Sequence, residues 1–93
     1  MTIQLTDHAR ARLQQRGIPE PVLECLLTYG RKVHDHMGGE LVFFDHNSRN
    51  RLRRMQGEAA FKKLEAKLDA YAVVADDGVV LTVGHRTKRI NRH

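Results

Sequence analysis

Residues 70–86 read AYAVVADDGVVLTVGHR, and the fold turns on this stretch. Two runs of small, β-branched and aromatic residues, Ala70 to Asp76 and Val79 to His85, flank Asp77-Gly78. An Asp-Gly pair between two such runs is a strong short-range hairpin signal and predicts a type I′ turn. That turn pairs Asp76 with Val79, Val73 with Thr82, and Tyr71 with Gly84. Side chains directly across a ladder share a face. Tyr71, Val73, Thr82 and Arg86 then project one way, and Ala70, Ala72, Val74, Leu81, Val83 and His85 the other. The second set predicts the core face, with His85 at its rim. The first set is more polar and predicts a binding surface. His85 joins Arg86 only where Gly84 forms a bulge, a role glycine often takes within a strand.

Upstream, Arg31 to His36 and Glu40 to Asp45 predict a second hairpin, turning at Met37-Gly38-Gly39. Leu41-Val42-Phe43-Phe44 is apolar on both faces, so its strand belongs at the centre of the sheet or under cover. Between the hairpins, Ser48 predicts the cap of a short helix carrying Leu52 and Met55. A further helical stretch carries Ala60, Phe61, Leu64 and Leu68. The two stripes are out of phase, which places a break near Gly57. A strand with alternating arginines over Arg49 to Arg54 is the alternative.

At the start of the chain, Thr6 or Asp7 caps a helix running to about Arg16. Gly17 supplies its left-handed end, and Ile18 reaches back to Leu13. Pro19 to Pro21 open a second helix with an apolar stripe of Val22, Leu23, Leu26 and Leu27, ended by Gly30. Cys25 flanks that stripe and reads as a core-edge side chain, not a nucleophile. The pattern predicts a single α+β domain over residues 1–93. Two N-terminal helices pack on a four-stranded, mainly antiparallel sheet, with a kinked helical segment between the two hairpins.

The chain carries a net charge of +5, unevenly spread. Residues 1–46 hold five Lys/Arg against six Asp/Glu, and residues 47–93 hold eleven against five. Arg49, Arg51, Arg53 and Arg54 fall within one short run, and Arg86, Lys88, Arg89 and Arg92 crowd the end. This asymmetry points to nucleic acid or another polyanion, and the planar guanidinium suits phosphate. No apolar run approaches the ~20 residues of a membrane helix, which argues against a membrane partner. One cysteine cannot form an internal disulfide, and the N-terminus has no apolar signal region, so a cytoplasmic setting is expected.

Two groups place an imidazole beside cations. His8, Arg12 and Arg16 are spaced by four and share a stripe of the first helix. Thr82, His85, Arg86 and Arg89 gather at the end of the last strand. Metal-free cleavage of RNA needs a base for the ribose 2′-hydroxyl, an acid for the leaving oxygen, and cations for the developing charge. His8 or His85 can serve as base or acid. Arg12, Arg16, Arg86 and Arg89 can hold phosphate, with Thr82 and Tyr71 in support. His34 and His36 share a strand face but have no third ligand at a recognisable spacing, so no metal or other cofactor is expected.

The opening His8-Ala9-x-x-Arg12-x-x-x-Arg16-Gly17-Ile18 resembles a small bacterial domain of unknown function. So does the ending Tyr71-x-Val73-Val74-x-x-Asp77-Gly78…Thr82-Val83-x-His85-Arg86. That domain is similar to RelE-like toxins, within the wider barnase–EndoU–colicin–RelE fold of metal-independent RNases. The resemblance implies N-terminal helices on an antiparallel sheet and RNA as substrate. It places His8, Arg12, Thr82, His85 and Arg86 at the matching positions. A non-catalytic nucleic-acid-binding module, with Arg49, Arg51, Arg53, Arg54 and the C-terminal tail supplying affinity, is the alternative. A small protein docking an acidic partner, such as an antitoxin or immunity protein, is a third.

Overall fold

The structure, a computed structural model, describes residues 3–35 and 38–86. Helix α1 (Asp7–Gln15) begins at Thr6, whose hydroxyl accepts from the Ala9 N–H at 3.0 Å. It ends in a Schellman arrangement: Ile18 N–H donates to the Leu13 carbonyl and Gly17 N–H to that of Gln14, with Gly17 at φ +63°. Helix α2 (Glu20–Tyr29) starts at Pro19 without a side-chain cap, and Pro21 sits where its missing N–H costs nothing.

Strands β1 (Arg31–Asp35), β2 (Gly39–Phe43), β3 (Ala70–Ala75) and β4 (Val80–His85) form one antiparallel sheet in the order β1-β2-β3-β4. The expected four-stranded α+β architecture is therefore present. The doubly apolar β2 is central, as its composition requires. The strand stops at Phe43, earlier than the expected Asp45, because Asp45 is committed to the next helix.

Between the hairpins, helix α3 (His46–Gln56) is followed by α4 (Glu58–Leu64) and a 3₁₀ turn at Glu65–Lys67. Gly57, at φ +91°, ends one helix and begins the next, so the break falls where the phase of the apolar stripes changes. The cap of α3 is Asp45, not Ser48. Asp45 accepts from the Ser48 N–H at 2.9 Å, and the Ser48 hydroxyl lies 2.7 Å from the Asp45 N–H in a reciprocal box.

The closing hairpin departs from its expected form twice, and the departures cancel. Asp77 does not have the positive φ that a type I′ turn needs. Instead Gly78 N–H donates to the Ala75 carbonyl and Ala75 N–H to the Val79 carbonyl, both at 2.9 Å, with Gly78 at φ +90°. This three-residue loop, Asp76 to Gly78, places Val74 opposite Val80. A bulge at Leu81 then restores Val73 to Thr82 and Tyr71 to Gly84, the pairs expected from the sequence. Leu81 is consequently exposed and Val80 fully buried, which corrects the placement of Leu81 in the core.

The bulge is held from the chain start. Thr6 N–H donates to the Val80 carbonyl, Val80 N–H to that of Gln4, and the Thr6 hydroxyl to the Leu81 carbonyl. One apolar cluster joins Ala9, Val22, Leu23, Leu26, Leu52 and Phe61 from the helices to Val42, Ala72, Val74, Val80 and Val83 from one sheet face. Among the described residues, the opposite face of the sheet contributes nothing to that cluster.

Candidate nucleic-acid interface

Strand alternation and the register assign the second face. Arg31, Phe43, Tyr71 and Gly84 form one row across the sheet, and Val33, Leu41, Val73 and Thr82 the next. Their side chains are half-buried or exposed, with Val33 at 39%. Of the five aromatic residues in the chain, Phe43 and Tyr71 lie side by side here, whereas Phe44 and Phe61 are in the core.

The two rings are fixed differently. The Arg86 guanidinium lies over Phe43, 4.4 Å from the ring centroid, in a cation–π arrangement. Arg86 is anchored by its backbone N–H, which donates to the Asp69 carbonyl at 2.8 Å. Tyr71 lies across Gly84. A Cβ at Gly84 would stand 2.9 Å from Tyr71 Cε1, 3.0 Å from its hydroxyl and 3.1 Å from Cζ. These near-equal distances place the distal end of the ring broadside over the glycine. Gly84 therefore makes no bulge; it is bare so that Tyr71 can lie down. Arg31 closes the row at the sheet edge, 3.5 Å from the Asp45 carboxylate, with its side chain 61% exposed. Tyr71, Thr82 and Arg86 thus share the face that the sequence predicted as a binding surface.

The histidines do not join them. His85 points toward the helices. Its Nδ1 is 2.7 Å from Asp69 Oδ1 and its Nε2 is 2.8 Å from the Arg16 carbonyl. Which ring nitrogen donates is set by the tautomer. His85 acts as a tether between the end of α1, the start of β3 and the end of β4. With no bulge at Gly84, His85 and Arg86 project to opposite faces.

His8 lies in the first turn of α1, where its Nε2 accepts weakly from Arg12 Nε at 3.4 Å. Eight residues of helix between His8 and Arg16 span about 12 Å, so the two imidazoles stand at opposite ends of α1. They cannot both reach one phosphodiester. His8 and Arg12 do share a helix stripe with Arg16, as the spacing predicted.

The arginines of α3 form no single patch. At about 100° per residue, Arg49 and Arg53 face one side and Arg51 and Arg54 the other. Arg49 donates to the Leu68 carbonyl and Arg51 to that of Tyr29, at 3.3 and 3.4 Å. Arg53 stacks over Phe61 at 4.3 Å and meets Glu58 at 3.4 Å. Three of the four therefore tie α3 to its neighbours: Arg49 to the segment before β3, Arg51 to the end of α2, and Arg53 to α4. Arg54 is exposed. Arg89, with the rest of the basic tail, lies outside the described residues.

A groove of about 370 Å³ between α2 and α4 is lined by Cys25, Tyr29, Gln56, Ala60 and Leu64, among others. Burial, with Glu24 nearby, pushes the Cys25 thiol up from its ordinary value, which suits a packed side chain and not a nucleophile. Among the described residues no group of His, Cys, Asp and Glu could hold a metal ion, and no helix is long and apolar enough to cross a membrane. Phe43 is the open-face residue that sequence reasoning did not single out. Leu41 to Phe44 reads only as a strand that is central or under cover, and the register with Tyr71 is what assigns Phe43 to the second face. Comparisons with protein-family models, with curated proteins and with solved structures find no match to this chain.

Proposed function

We propose that this domain binds RNA on the open face of its sheet, as a binding module and not through a histidine pair. The observation that carries the reading is the row Arg31, Phe43, Tyr71, with Arg86 layered on Phe43. Aromatic rings with interleaved guanidinium groups on an uncovered antiparallel sheet are a recurring way to hold nucleic acid. The excess of cations in residues 47–93 and the resemblance to RelE-like domains point the same way. A cytoplasmic setting accords with such a ligand.

A second reading keeps cleavage but moves it. Tyr71, Thr82 and Arg86 share the open face, so a metal-independent endoribonuclease site there would use these three in place of His8 and His85. Docking of an acidic antitoxin or immunity protein would use the same arginines.

Titration of labelled RNA at several salt concentrations tests the reading. Affinity falls steeply with salt, and Arg86→Ala shallows the slope by about one unit. Failure to bind RNA oligomers at ordinary salt defeats it and favours the acidic protein partner. Incubation with RNA in EDTA separates binding from cleavage. New cyclic phosphate ends, lost in Tyr71→Phe or Arg86→Ala, would convert the module into the enzyme.

A further inference from the structure

We infer that the open face takes single-stranded RNA and holds consecutive unpaired bases on two adjacent stacking platforms, the Tyr71 ring and the Arg86–Phe43 layer. This rests on the RNA-binding reading above and deepens it.

Three features carry the inference. Phe43 and Tyr71 are direct cross-strand partners on strands about 4.8 Å apart, so the two platforms are one short step from each other. Each platform is a flat group laid against its support. Tyr71 lies on a residue with no side chain, and Arg86 lies on a ring. A planar guanidinium offers a base a π-surface and a positive charge together, and a phenol ring offers a π-surface with a polar tip. Finally, among the described residues the neighbouring row of the face is mostly apolar: Val33, Leu41 and Val73 lie beside the platforms, with Thr82 at its end. A paired helix hides its base faces, so this surface gains its stacking only from unpaired bases.

RNA is favoured over DNA because Thr82 presents a hydroxyl on the same face and the Tyr71 hydroxyl lies beside Gly84 on the neighbouring strand, two residues along from Thr82. Both are suited to a ribose 2′-hydroxyl.

Fluorescence anisotropy on short labelled oligonucleotides tests this. The probes are an unstructured RNA, the same sequence as DNA, an RNA duplex, and an abasic ribose-phosphate strand of equal charge. The unstructured RNA binds tightest, and the duplex and abasic strands bind at least tenfold more weakly. Phe43→Leu and Tyr71→Leu each weaken binding by about 5- to 150-fold without changing the salt slope. Where a leucine variant fails to fold, quenching of Tyr71 fluorescence by the RNA in a Tyr29→Phe background reports stacking directly. Equal binding of the duplex or the abasic strand overturns the stacking inference but leaves RNA binding intact. Equal binding of the DNA strand overturns the ribose preference. No binding of any strand removes both readings.

Discussion

The two faces of this sheet are built from the same four strands, yet they have different fates. On the helix side, Val42, Ala72, Val80 and Val83 are almost wholly buried against α1 and α2. On the other side, Leu41, Phe43, Tyr71, Val73 and Thr82 remain partly in contact with solvent. Both sets are rich in β-branched or apolar residues. Composition therefore does not separate them; the positions of the helices do. Apolar surface that folding leaves wet is available for binding, and here it is rimmed by arginines.

The largest expected effect tests whether the faces differ in what they contribute to folding. Leu23 is fully buried, and Leu23→Ala should cost about 2–5 kcal/mol. Leu41→Ala on the open face should cost less, about 1–2 kcal/mol, since part of its surface stays in contact with solvent. Urea denaturation of both variants measures this. Equal losses would mean that the open face is packed as tightly as the core, and the contrast would collapse.

His85 tests the boundary between the faces. As a tether joining Asp69 and the Arg16 carbonyl, it should matter for stability. His85→Ala should lower unfolding free energy by about 1–1.5 kcal/mol, because the tether is lost while its two exposed partners regain water. RNA affinity at a temperature where the variant is folded should change by no more than about twofold, because the imidazole and the platforms lie on opposite faces. A tenfold loss of affinity at unchanged stability would return His85 to the binding site.

Much of this arrangement was legible in the sequence. The helix order, the break at Gly57 and the Thr6 cap all follow from local chemistry acting over a few residues. The turn was misjudged because an Asp-Gly pair serves type I′ and three-residue loops alike, and a bulge at Leu81 repaired the register unseen. That bulge is set by the pairing of Gln4 to Thr6 along β4, a contact between the two ends of the chain that no local pattern encodes. The candidate site was half legible. Strand alternation placed Tyr71, Thr82 and Arg86 together, but Phe43 joins them through pairing between the two hairpins. His85 was read as reactive because its neighbours in sequence are cations, whereas its neighbours in space are a carboxylate and a carbonyl.

The smallest effect belongs to Asp45, which sits where the two faces meet. It caps α3, the helix whose Leu52 enters the core, and it pairs with Arg31 at the edge of the open face. Burial opposes its charge, but hydrogen bonds from Ser48 and the nearby Arg31 guanidinium outweigh it and hold the carboxyl below its ordinary value. A lowered folded value means that the ionised form stabilises the fold. Its contribution is present above the unfolded carboxylate range, near pH 4, and is lost as pH falls through the lowered folded value. Asp45→Ala should cost about 1 kcal/mol at neutral pH through loss of the cap. Asp45→Asn keeps a capping oxygen but removes the charge. Its deficit against the parent should therefore be a few tenths of a kcal/mol at neutral pH and shrink as the medium is acidified, as expected for an exposed pair. Denaturant curves from neutral pH down to about pH 3 measure it, and the same variant binds RNA at least as tightly as the parent if Arg31 serves the open face, because the anion competing for that guanidinium is gone. Weaker RNA binding by Asp45→Asn, with the fold intact, would instead show that Asp45 positions Arg31 for the ligand and that the two faces are coupled through this corner.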